Sequence, residues 1–192
     1  MIGTYDGTSF TLTRPAVEAS EYDGPPVGQR PPGHALETPC PEPEGGWQVV
    51  DPALTNGQAL DRQARIADQL DGYSDLWLDQ SINPSTSEQD MNDPAKLVLN
   101  VRVAGDVAAA ERTLRETWGG ALCVSQAQRT DAELNRIQRS LEGTPGMLGG
   151  SYGRDVVDLE VIYDDGSLKQ DLDERYGEGV VRVHSALQPY DG

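Results

Sequence analysis

The stretch KLVLNVRVAGDVAAAERTLRETWGGALCV, from Lys96 to Val124, decides the fold class. Leu97, Leu99, Val101 and Val103 alternate with Val98, Asn100 and Arg102, the period-two pattern of a half-buried strand. Asp106 then stands where it can cap a helix whose Val107, Ala110 and Leu114 share one face. Trp118 closes that helix and Gly119-Gly120 stop it. Ala121 to Val124 reads as a second strand. Strand, helix and strand in this order predict a right-handed βαβ unit with parallel strands.

The pattern recurs further on. At an offset of 58, Leu114-Arg115-Glu116-Thr117-Trp118-Gly119 falls on Leu172-Asp173-Glu174-Arg175-Tyr176-Gly177, Val103 on Val161, Asp106 on Asp164 and Ala110 on Leu168. Val157, Leu159, Val161 and Tyr163 alternate as a strand. Ser167 is expected to cap the next helix, which Gly177 stops, and Val180 to His184 form the last strand. Two βαβ copies, near 97–125 and 155–185, predict an α+β, ferredoxin-like domain with one shared sheet and helices on one face. A helix opened by the capping box Thr130–Glu133 stands between the copies, where the simple fold has a hairpin. Gly149-Gly150-Ser151-Tyr152-Gly153 reads as a flexible loop, since it lacks the lysine of a phosphate-binding loop.

The repeat register sends Asn100, Arg102, Asp158, Glu160, Arg182 and His184 to the uncovered face of the sheet. Val98, Val156, Ile162 and Val180 share that parity. Such a face is either a solvated surface of ion pairs or a docking surface with an apolar centre and a charged surround. The docking alternative makes Arg102, Asp158, Glu160, Arg182 and His184 the candidate binding residues.

Residues 57–192 are expected to form the α/β domain; upstream of its repeats come a helix from Asn56 to about Leu70, a strand over Asp75–Asp79 and a Ser- and Asn-rich loop over 81–95. Residues 15–56 read as a Pro/Gly-rich irregular arm, a spacer in which Pro25-Pro26, Pro31-Pro32-Gly33 and Pro39-Cys40-Pro41 prevent regular ladders. Trp47, Val49 and Val50 are placed to dock the end of the arm on a core. Residues 1–14 predict a β-hairpin turning at Asp6-Gly7, expected to be a fragment of an upstream part.

Composition narrows the function. The chain has 192 residues and a net charge of -17, and residues 1–95 hold 16 acidic against 4 basic residues. That sign repels phosphate backbones and anionic membrane surfaces, so neither nucleic acid nor a direct anionic-membrane contact is expected. Only two of the 15 basic residues, Lys96 and Lys169, are lysines, a bias typical of GC-rich genomes. No Cys/His cluster suggests zinc and no Asp-x-Asp-x-Asp-Gly loop suggests calcium, so no metal or cofactor is expected. The two histidines, His34 and His184, have no Gly-x-Ser-x-Gly elbow to serve, and no catalytic residues are assigned. A Cys123–His184 dyad has only residue type in its favour.

Cys40 and Cys123 make an even count, which in an exported chain predicts a disulfide; two separate buried thiols are the alternative. Residues 161–168, 172–183, 185–187 and 111–124 resemble uncharacterised actinobacterial exported proteins, often lipoproteins or membrane-anchored. The resemblance implies an extracytoplasmic, cell-envelope location, with a signal or anchor upstream of Met1. It carries no activity. A fainter, fold-level similarity is to the propeptides of secreted serine proteases. The resulting expectation is a non-enzymatic exported domain binding a protein or cell-envelope component. The alternatives are a propeptide-like chaperone or inhibitor, and an enzyme of unrecognised type.

Overall fold

The computed structural model describes residues 1–16, 18–21, 36–85, 87, 90 and 93–189. The arm prolines Pro25, Pro26, Pro31 and Pro32, with Gly33 and His34, lie outside the described residues. After the hairpin β1 (Gly3–Tyr5) and β2 (Phe10–Leu12) the elements are α1 (Gly57–Ala67), β3 (Tyr73–Asp79), β4 (Val98–Val103), α2 (Val107–Arg115), β5 (Ala121–Gln126), α3 (Asp131–Ser140), β6 (Met147–Gly153), β7 (Val156–Val161), α4 (Ser167–Tyr176) and β8 (Val181–Ser185). The chain is α+β, and it runs through the order α-β-β-α-β twice.

The strands of the two units do not join one sheet. They form separate three-stranded sheets, β3-β4-β5 and β6-β7-β8. In each the central strand pairs antiparallel with the strand before it and parallel with the strand after the crossover helix. The expected single ferredoxin-like sheet is therefore replaced by two smaller ones. Alternation fixes which face of a strand is buried but not which strand lies beside it.

The repeat is longer than the βαβ pair. Asn56, which caps α1, and Thr130, which caps α3, stand 74 apart, as do Tyr73 of β3 and Met147 of β6. Both hairpins carry a register shift at the same place, between Tyr73 and Asp75 and between Met147 and Gly149. The helix at 130–143 is thus the opening element of the second unit. The offset falls from 74 to 58 because β3 and β4 are joined by residues 80–97, whereas β6 and β7 are joined by Arg154 and Asp155 alone. Gly149 to Gly153, expected to be a loop, belongs to β6; pairing with β7 supplies the order that the glycines themselves do not.

Each unit builds its own core between two helices and one sheet face. Ala67, Leu97, Leu99, Val101, Ala110, Leu114 and Trp118 meet in the first, and Leu134, Leu141, Val157, Leu159, Leu172 and Val181 in the second. The capping box at Thr130 and Glu133 forms, and Asp106 accepts from Ala109 N. Ser167 does not cap α4. The N-cap is Gly166, at φ 99°, and Asp164 and Asp165 accept the free amides of Leu168 and Ser167 instead. Gly119 has no substitute, because a Cβ there would collide with the carbonyl of Asp51. That close approach lets Val50 N and Asp51 N reach Gly119 O and fastens the end of the arm to the first unit.

Candidate functional site

The five candidate binding residues are divided between the two sheets. Arg102 lies on β4, whereas Asp158 and Glu160 lie on β7 and Arg182 and His184 on β8. Arg102 is not on an open surface. Its Nη2 is ion-paired with Asp155 Oδ2, and both side chains are mostly buried.

The face of the first sheet away from its helices is closed from two directions. At one end the β6–β7 turn supplies Asp155 against Arg102, and Arg154 lies over Trp77 and 3.9 Å from Asp75. At the other end residues 36–50 of the arm lie across β3, β4 and β5. Thr38 donates to Asp79 Oδ2 from both its amide, at 2.8 Å, and its hydroxyl, at 2.7 Å. Asn100 Nδ2 donates to Thr38 Oγ1, and Trp77 Nε1 to the carbonyl of Leu36. Cys40 and Trp47 pack on Val98, Ala121 and Cys123. Leu36 and Glu37, with Leu78, Asp79, Gln80 and Ser81, line a recess where the arm meets the end of β3. Val98, expected to face outward on an open surface, is fully buried for this reason. This stretch of the arm is a cover and not a spacer.

Cys40 and Cys123 are joined as a disulfide with Cα atoms 5.8 Å apart, within the normal range for a bridge. The pairing removes the thiol that a Cys123–His184 dyad would need. Burial would raise the Asp79 carboxyl, but the hydrogen bonds from Ser81 and Thr38 outweigh it and hold the group below the usual carboxylate range.

The corresponding face of the second sheet is different. Asn100 and Arg102 are matched by Asp158 and Glu160, and Cys123 and Ser125 by Arg182 and His184, from the pairing of each with the central strand. Trp77 is matched by Ser151 and Asp75 by Gly149. Small residues thus stand where the first sheet carries Trp77 and Asp75. Arg182 and Ser151 are exposed, while Asp158, Glu160 and His184 are half-buried. His184 Nε2 lies 2.7 Å from Asp158 Oδ1 across β7 and β8. Val156 and Val180 are buried and contribute no apolar centre to the surface. Near the loop leading to α4, Tyr5 of the first hairpin meets Tyr163 edge to face, 6.4 Å between ring centres.

Among the described residues no three His, Cys, Asp or Glu side chains converge as metal ligands would. No described helix is long and apolar enough to cross a membrane. No protein-family model matches the chain, and no curated protein matches it.

Proposed function

We propose that the chain is a non-enzymatic, exported domain of an actinobacterial envelope protein, made by duplication of an α-β-β-α-β module, and that it binds a protein or cell-envelope component on the second sheet. The observation that carries this reading is the contrast between two matching faces. One is covered by the chain's own residues 36–50, so the module accepts polypeptide on that face. The other presents Arg182 and Ser151 with half-buried Asp158, Glu160 and His184. The Cys40–Cys123 disulfide is what an oxidising, extracytoplasmic compartment sustains. A net charge of -17 favours a partner that is not itself strongly acidic. The propeptide-like alternative drew on a single ferredoxin-like sheet, and the two-sheet arrangement withdraws that ground.

Immobilised wild-type domain, and a variant carrying Arg182→Glu and Ser151→Glu, are exposed to solubilised envelope from the source cell. The reading expects one retained component, lost with the variant, while the melting temperature stays within about 2 °C, as for exposed sites generally. Equal retention by both proteins contradicts it.

A further inference from the structure

The cover on the first sheet has the properties of a bound ligand. Residues 36–50 are not a strand of that sheet. They are held by two clusters of side-chain contacts, Thr38 with Asp79 and Asn100 at one end and Trp47 with Val98 and Ala121 at the other. The fit is incomplete. Asn100 is fully buried, and its amide nitrogen bonds Thr38, yet its Oδ1 has no hydrogen-bond partner. The Thr38 hydroxyl proton is already given to Asp79 and cannot serve it. A buried carbonyl left unpaired is costly, so a segment placing a donor there would fit better than the arm does. Apart from the Val50 and Asp51 amides that anchor its end at Gly119, the arm is fixed in place by one covalent bond, Cys40–Cys123.

We infer that this face is a binding site for a proline-rich polypeptide segment with a hydroxyl residue at one end and an aromatic residue at the other, that residues 36–50 are its resident occupant, and that the disulfide is the clasp controlling exchange. The inference rests on the reading that these modules bind polypeptide. Cys40 is half-exposed and Cys123 is buried, so an external dithiol reaches the bridge at Cys40. Its thiolate forms a mixed disulfide with Cys40 and expels Cys123 as a thiolate, which takes a proton. The second thiol of the reagent then displaces Cys40. Each cysteine gains one electron and one proton, and the dithiol ends as its own disulfide. Afterwards the arm competes for the face only through its tether, and a segment supplied in trans can replace it.

Hydrogen exchange of the full chain, with and without dithiothreitol, tests the clasp. Reduction is expected to lower protection of the Thr38 amide and its neighbours through residue 49 at least tenfold, while amides of Val98–Val103 and Ala121–Gln126 paired within the sheet keep theirs. Unchanged protection of the arm overturns the inference. So does loss of protection in β4 and β5 together with the arm, which would make residues 36–50 part of the core and not an occupant. A fluorescent synthetic peptide of residues 36–50 carrying Cys40→Ser tests the site. It should bind saturably to the full chain bearing Thr38→Ala, Cys40→Ser and Trp47→Ala, and at least tenfold more weakly to oxidised wild type. No binding to a folded variant overturns the inference, and if the variant does not fold the exchange result decides. Failure here with a partner still lost on Arg182→Glu and Ser151→Glu leaves the reading of the second sheet standing.

Discussion

The Arg154 guanidinium lies 4.2 Å from the centre of the Trp77 ring, and through this contact the turn of one unit holds the sheet of the other. Arg154 and Asp155 form the two-residue connection between β6 and β7, at φ 50° and 71°. Left-handed backbone at non-glycine residues costs of order 1–3 kcal/mol each, and a sequence such as Asn-Gly would relieve it. The chain keeps both side chains because each grips the first unit. Arg154 takes Trp77 and Asp75, while Asp155 takes Arg102 and the amides of Gln128 and Arg129.

Replacing Asp155 should therefore loosen the joint between the units. Asp155→Ala leaves Arg102 with only the Gln126 carbonyl and takes the acceptor from two amides, and it is expected to cost about 3 kcal/mol, in the range for breaking a buried pair. Asp155→Gly loses the same contacts but relieves the backbone, so it should cost about 1 kcal/mol less. Denaturant melts of the two variants check the order. Asp155→Gly falling below Asp155→Ala would contradict the role assigned to the turn.

The disulfide closes a sequence separation of 83 residues. Loop-closure entropy then predicts about 4–5 kcal/mol of stabilisation relative to the open chain. Thiol titration of the unfolded, unreduced protein should find no free thiol, and Cys40→Ser/Cys123→Ser should lower the denaturation midpoint accordingly. Two titratable thiols in oxidatively produced protein would contradict the bridge.

Leu114 and Leu172 occupy matching positions in α2 and α4, at 0% and 5% exposure. Each change to alanine should cost roughly 2–5 kcal/mol through the cavity it leaves. Melts showing less than about 1 kcal/mol for both would remove the repeat from the cores.

Much of this was readable in the sequence. Alternation placed β4 and β7, the stop at Gly177 placed β8 after it, the caps at Asp106 and Thr130 placed their helices, and the offset of 58 matched Leu114 with Leu172. The first half of each unit was hidden because so little of it repeats. Gln63 stands where the second unit has Ile137, and Trp77 where it has Ser151. With β6 written mostly in glycine and serine, no local propensity marks it as a strand, and only its partner β7 defines it. The separation into two sheets, and the burial of Val98 and Arg102, depend on contacts with distant residues that no periodicity encodes. Gln63 itself is fully buried, with Nε2 donating to Thr117 Oγ1. Burial of a polar side chain on a helix face is a tertiary fact.

The Asp79 carboxyl is held below its ordinary value in the folded protein. A depressed carboxylate stabilises the fold above its unfolded pKa of about 3.9, and that contribution disappears as pH falls through the lower folded value. Acid should therefore weaken the hold on Thr38, and Asp79→Asn should flatten this part of the stability profile. At the other extreme, burial first, then the charges of Asp75, Asp131 and Asp68, push Tyr73 up to about 12. Its contribution is full below the unfolded value of about 10 and is lost as pH rises through about 12. Tyr73→Phe should remove that alkaline loss in pH-dependent melts, and an unaltered profile in both variants would contradict these assignments.

If the proposed function holds, the covered and exposed faces of the two matching sheets differ in what they can bind. Photo-crosslinking residues introduced singly at Arg182, the neighbour of Asp158, and at Ser125, the neighbour of Arg102, test it in the oxidised protein. A crosslink to one envelope component from position 182, with position 125 yielding only intramolecular products or none, is the predicted result. Equal capture of that component from both positions, or none from position 182, would rule out the second sheet as the binding face.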